Sequence, residues 1–169
     1  MSSDTTKVKG LAELQAALDQ IPAQMERNIM RGALRAGAKV LLAEAQSTTE
    51  FADDSGALRA SLRITTSVRR GTVTAAVKAG PTKRDKRPWY ARLVEYGTKA
   101  HIIRAKPGKL LAIGVSVVHH PGAKARPYLR PALDHKAQAA VQATAEYIRQ
   151  RLATKHGLQV PAPLQEGDE

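Results

Sequence analysis

The sequence predicts an α+β fold: an antiparallel sheet of about four strands packed against a long N-terminal helix and a C-terminal helix, with a short helix inserted between strands. Three observations predict it. Apolar residues recur at helical spacing from about residue 23 to 48, then at a period of two from 58 to 79. The helical period returns from 133 to 152.

The elements follow in order. Leu11, Leu14, Leu18 and Ile21 make a narrow stripe on a short helix over residues 10–21, and Pro22 suits the first turn of the next one. On that second helix Met30, Leu34, Leu41 and Ala45 form one row and Ile29, Ala33, Ala36 and Val40 the adjoining row. Gly32 and Gly37 each lower helix propensity by roughly 1 kcal/mol relative to Ala, so close approach of another backbone is their expected use. A polar break at 51–57 comes next. Leu58, Ala60, Leu62, Ile64, Thr66 and Val68 then alternate with Arg59, Ser61, Arg63, Thr65, Ser67 and Arg69, which predicts a strand with one apolar and one cationic face. Arg70-Gly71 reads as a turn into a second strand carrying Val73, Ala75, Val77 and Ala79, hence a hairpin.

Residues 80–88 form a basic loop. Residues 89–96 read as a short helix stopped by Gly97. Strands are predicted at 101–104 and 110–118, with a turn at Lys106-Pro107-Gly108-Lys109. Pro131 opens the last helix, on which Leu133, Ala137, Val141, Ala145, Ile148 and Leu152 form the apolar stripe, and Gly157 ends it. The 169 residues thus divide into a single α+β domain over 1–156 and a C-terminal tail over 157–169, read as flexible.

Composition narrows the function. The formal net charge is +12, and it is concentrated: residues 57–136 hold eighteen basic side chains against Asp85, Glu95 and Asp134. A cationic block of that size suits a surface facing polyanion, DNA above all. Absence of cysteine excludes a disulfide framework and thiolate chemistry. No apolar run approaches the ~20 residues of a membrane helix, and no signal pattern opens the chain, so a soluble protein made and kept in a reducing cytoplasm, or assembled there, is expected. His119 and His120 are strand neighbours that point to opposite faces, while His101, His135 and His156 lack carboxylate partners at ligand spacing, so no metal or other cofactor is expected. Asp53, Asp54 and Glu95 are the only acids worth testing for catalysis, and turn-making or ion pairing accounts for them better. With aromatics at 4%, a base-stacking groove is excluded, so any DNA contact is with the backbone.

Several short pieces, in order, carry a resemblance. They are Val8-Lys9-Gly10-Leu11-Ala12-Glu13-Leu14, Ala33-Leu34-Arg35-Ala36-Gly37-Ala38, Asp54-Ser55-Gly56-Ala57-Leu58-Arg59-Ala60-Ser61 and Tyr90-Ala91-Arg92-Leu93-Val94-Glu95-Tyr96-Gly97-Thr98. His120-Pro121-Gly122 and Ala125-Arg126-Pro127-Tyr128-Leu129-Arg130-Pro131-Ala132-Leu133 complete the set. Together they resemble the neck and tail-completion proteins of long-tailed double-stranded DNA bacteriophages, also described as head–tail joining proteins or minor tail components. The resemblance implies a structural virion protein and no enzyme. It implies a ring subunit, hexameric by expectation, completing the head-proximal end of the tail. Connector or stopper, tail terminator and tail tube are the implied partners, with DNA passing through the bore.

On this reading Arg59, Arg63, Arg69, Lys83, Arg84, Lys86 and Arg87 are the candidates for the DNA or channel side. Trp89, Tyr90, Glu95, Tyr96 and Tyr128 are the candidates for subunit or connector contacts. The alternative function is a free, sequence-nonspecific nucleic-acid-binding protein.

Overall fold

A computed structural model describes residues 14–16, 19, 23–51, 53, 55–83 and 85–157. Its elements are α1 (Ala23–Ser47), α2 (Ala57–Ser61), β1 (Arg63–Arg69), β2 (Thr72–Lys78), a 3-10 turn (Arg87–Tyr90), α3 (Ala91–Tyr96), β3 (His101–Arg104), β4 (Val117–His120) and α4 (Leu129–His156). The α+β class is as expected. The predicted helix at 10–21 lies mostly outside the described residues; residues 14–16 are helical and Leu14 is buried. The predicted tail beyond Gly157 also lies outside them.

The long helices pack antiparallel. Ile29 and Ala33 meet Ala145, Ile148 and Leu152 at one end, and Ala45 meets Ala132 at the other. Small residues set the spacing between them. A Cβ on Gly37 would stand 2.6 Å from the Ala140 carbonyl oxygen and would collide with the Thr144 hydroxyl, while one on Gly32 would run into the Tyr147 ring. Gly37 therefore has the expected use, close approach of another backbone, whereas Gly32 makes room for a tyrosine ring instead. Helix propensity alone makes Gly37→Ala stabilising by about 1 kcal/mol. Because the neighbour is backbone and cannot rotate away, we expect a net loss of about 1–2 kcal/mol from overpacking instead, read from the midpoint of urea unfolding.

The core has two centres. One joins the helices near Ile29 and Ile148; the other gathers Ala45, Phe51, Leu58, Leu62, Ala91, Tyr128 and Ala132. Phe51 and Tyr128 stack at 4.9 Å between ring centroids. Few large rings are needed, because Ala and Gly let the backbones come close.

The four strands form two separate hairpins rather than one sheet. In the first, Arg63 pairs with Lys78, Thr66 with Ala75 and Arg69 with Thr72, and Ile64, Val68, Val73 and Val77 share the face laid on α1. Arg70 and Gly71 both have positive φ, 50° and 83°, as a two-residue type I′ turn requires. In the second, His101 pairs with His120 and Arg104 with Val117. This hairpin is rooted elsewhere, at the junction of α3 and α4, and so adds no strand to the first.

Three sequence expectations need correction. The predicted strand beginning at Leu58 starts at Arg63, because residues 57–61 are one turn of helix. The Asp53 carboxylate caps that turn, accepting the Leu58 N–H at 3.3 Å and the Arg59 N–H at 2.8 Å, and Ser61 Oγ donates to the Leu58 carbonyl at 2.7 Å. Leu58 and Leu62 still share the core, Leu58 from the helix and Leu62 from the extended residue that ends it.

The strand predicted over 110–118 is confined to its last residues and runs on to His120. A turn at 106–109 is followed by another, in which Gly114 N–H donates to Leu111 O and Leu111 N–H to Val115 O, both at 2.8 Å. Leu110 and Ile113 are thereby left on the surface.

On α4 the predicted stripe is half right. Ala145, Ile148 and Leu152 are buried, but Leu133 and Val141 are exposed, and Ala132 and Ala140 take the inner positions. At 3.6 residues per turn a run of three four-residue steps drifts about 120° round the helix, so Leu133 cannot share a face with Ala145.

Candidate functional site

The chain's only acid between Asp85 and Asp134 turns out to be its structural pivot. Glu95, on α3, is 6% exposed. Its Oε2 accepts the backbone N–H groups of Tyr128 at 2.8 Å and Leu129 at 3.0 Å, and Oε1 that of Arg130 at 3.1 Å. These are orphan donors at the start of α4, which has no side-chain cap of its own. A carboxylate there satisfies them and lies at the positive end of the helix dipole. Sequence reasoning expected an ion pair at Glu95; a helix cap reached across more than thirty residues leaves no local signature.

The surrounding backbone closes the joint. Thr98 and Ala123 exchange N–H···O bonds of 2.9 and 3.1 Å, and Arg126 N–H donates to Val94 O at 2.8 Å. Gly97 and Gly122 sit where these segments press together. Tyr128 fills the space beneath, 1% exposed, and its hydroxyl donates to Ala91 O at 3.2 Å.

Burial, followed by the charge of Glu95, pushes the Tyr128 hydroxyl up to about 12. The folded state then holds its proton where the unfolded chain, ordinary for a tyrosine near 10, has released it. This contribution to stability is intact below pH 10 and is lost as pH rises from about 10 to 12. Tyr128→Phe should flatten the stability profile across that window in denaturant titrations, at the cost of one hydrogen bond.

The five residues predicted for partner contacts thus divide. Glu95 and Tyr128 are buried inside the subunit and hold it together. Trp89 and Tyr96 are 67% and 75% exposed, large apolar groups left on the surface, and Tyr90 is half-buried against the second core centre.

The predicted cationic residues divide as well. Arg59 lies on α2 with its guanidinium donating to the Gln46 carbonyl and 4.8 Å above the Phe51 ring. Arg63 donates to the carbonyls of Ser61, Gly80 and Pro81 at 2.9–3.3 Å, pinning the start of the basic loop. Arg69, Lys83 and Lys86 are exposed. Arg84 lies outside the described residues, and Arg87 opens the 3-10 turn. Sequence alternation missed Arg70 at the first hairpin's turn and Arg104, Lys106 and Lys109 on the second hairpin, all exposed. Among the described residues Arg69, Arg70, Arg104, Lys106 and Lys109 form no ion pair, whereas α4 takes part in Arg130–Asp134 at 3.2 Å, Arg149–Glu146 at 3.5 Å and the Glu44 pairs with His135 and Lys136. No cluster that could hold a metal ion occurs among the described residues.

The arrangement is a rigid helical body with cationic hairpins and loops and exposed aromatic groups. The sequence model of the HK97-gp10-like family, bacteriophage tail components, matches residues 12–97. The chain belongs to this family. The matched span of this phage tail component runs through α1, the first hairpin and α3, and ends at the Gly97 of the joint. The signatures at 120–133 lie beyond it, and it is the structure that gives them their role, as the other half of that joint. No curated protein and no solved structure matches the chain significantly. In the described residues no helix is long and apolar enough to cross a membrane.

Proposed function

We propose that this tail component is a ring subunit of the virion that completes the head-proximal end of the tail, joins it to the connector and lets DNA pass. Its work is structural and not enzymatic. The observation that carries this reading is the set of exposed cations, Arg69, Arg70, Arg104, Lys106 and Lys109, that form no ion pair among the described residues, on a member of a tail-component family. They sit on turns and strand ends and not on one helix face, so they can neutralise passing phosphates without reading bases. Exposed Trp89 and Tyr96 supply the large apolar groups that protein interfaces favour.

Negative-stain imaging of the purified protein with tail tubes tests it. Added protein should form a collar at one end of the tube, and phage lacking it should yield separate filled heads and tails. Normal virions without the protein would overturn the reading. A free nucleic-acid-binding protein, by contrast, binds short duplexes tightly with a salt slope of about −0.9 per phosphate contacted. Weak binding to free DNA is expected here, since passage needs a surface that does not grip.

A further inference from the structure

We propose that residues 158–164 of one copy of this chain add as a third strand to the β3–β4 hairpin of a neighbouring copy, with the acidic residues that follow set among the hairpin's cations. The inference stands apart from the tail-joining reading, since it concerns only contacts between copies.

The acceptor is open. Among the described residues β3 and β4 pair only with each other, and neither packs substantially on another element. Both outer edges therefore offer backbone groups to a further strand. The register places Ile102 and Val117 on the same, exposed face, and Leu110, Ile113 and Val115 in the segment joining the two strands are exposed as well. Five large apolar groups exposed on one small hairpin suit an interaction site.

The donor matches it. In Leu158-Gln159-Val160-Pro161-Ala162-Pro163-Leu164 the apolar residues Leu158, Val160, Ala162 and Leu164 recur at a period of two, and the prolines fall only between them. In a strand, residues of one parity direct their N–H groups toward one neighbour. Val160, Ala162 and Leu164 can bond the hairpin edge, while Pro161 and Pro163 deny donors to the far edge and stop further growth. Glu166, Asp168 and Glu169 follow, whereas the chain carries no acid between residues 96 and 133, the stretch that includes Arg104, Lys106 and Lys109. The charges are complementary.

Reach assigns the donor to another molecule. The hairpin is rooted at the N-terminus of α4 by the Thr98–Ala123 bridge and the Glu95 cap. Gly157 is at the opposite end of this 28-residue helix, about 42 Å away. Extended chain from Gly157 to Leu164 covers only about 25 Å. From Gly157 a strand at 158–164 falls short of the root of its own hairpin.

The chain has no cysteine, so engineered thiols report the contact in the full-length protein. Ala162→Cys protein is mixed with Ile102→Cys or Val117→Cys protein under mild oxidation, with Leu133→Cys, exposed on α4, as the control surface. Disulfide-linked heterodimers should form at least ten-fold more with the hairpin variants than with the control. Adding Lys106→Glu and Lys109→Glu to the hairpin variant should cut the yield several-fold. The double variant Ala162→Cys, Val117→Cys should link between chains. Yields no higher than the control, or a link closed within one chain, would overturn the proposal, and either result would leave the tail-joining reading untouched.

Discussion

Glu95→Ala should destabilise the protein by about 3–5 kcal/mol, the largest effect of any single polar substitution. The carboxylate accepts three backbone N–H groups at 2.8–3.1 Å in a buried site. Removing it strands those donors, each costing about 1–3 kcal/mol when unsatisfied, and takes the stabilising charge from the start of α4. Partial entry of water limits the sum. Glu95→Gln keeps one acceptor oxygen and loses the charge, so it should fall between the two. Chemical denaturation with an unchanged m-value checks both. A loss below 1 kcal/mol for Glu95→Ala would mean that the cap does not hold α4 to α3.

Gly97→Ala should cost about as much, by a different route. Gly97 has φ 67° and ψ −174°, a region that side chains avoid. A Cβ there would also meet Ala123 O at 2.6 Å, held by the Thr98–Ala123 bridge, and Ala125 N at 2.7 Å, both backbone atoms. Strain of about 1–3 kcal/mol and a clash of similar size add, because both neighbours are backbone and Ala123 cannot yield without breaking the bridge. We expect a loss of about 3 kcal/mol or more, read as a fall in unfolding midpoint. Gly56→Ala is the control: Gly56 also has positive φ, but a Cβ there meets nothing within 4 Å, so only the conformational part should appear.

What the sequence reveals here depends on how far apart the interacting residues lie. The long helix at 23–47, the first hairpin with its turn and the Gly157 stop are written in local spacing, and all were legible. Asp53 capping Leu58 and Arg59 is nearly as local, yet an alternating pattern over 58–62 concealed it, since Leu58 and Leu62 fit both a period of two and an i, i+4 pair. Glu95 illustrates the limit. Its isolation among cations was visible, but its partners are N–H groups of Tyr128, Leu129 and Arg130, which every residue possesses. Alternation over residues 58–69 places Arg59, Arg63 and Arg69 on one cationic face. Arg59 and Arg63 instead donate to carbonyls of Gln46, Ser61, Gly80 and Pro81, most of which the pattern could not bring near them, so the exposed charge is carried by hairpin turns and loops.

At the crossing of the two long helices, Gly37 lies against the Ala140 carbonyl with no side chain between them. Interlocked side chains can rotate and let one rod slide a little along another; two backbones in contact have no such play. An axial push on either helix is handed across within a fraction of an ångström. In a component of a phage tail, such a strut passes load along instead of absorbing it.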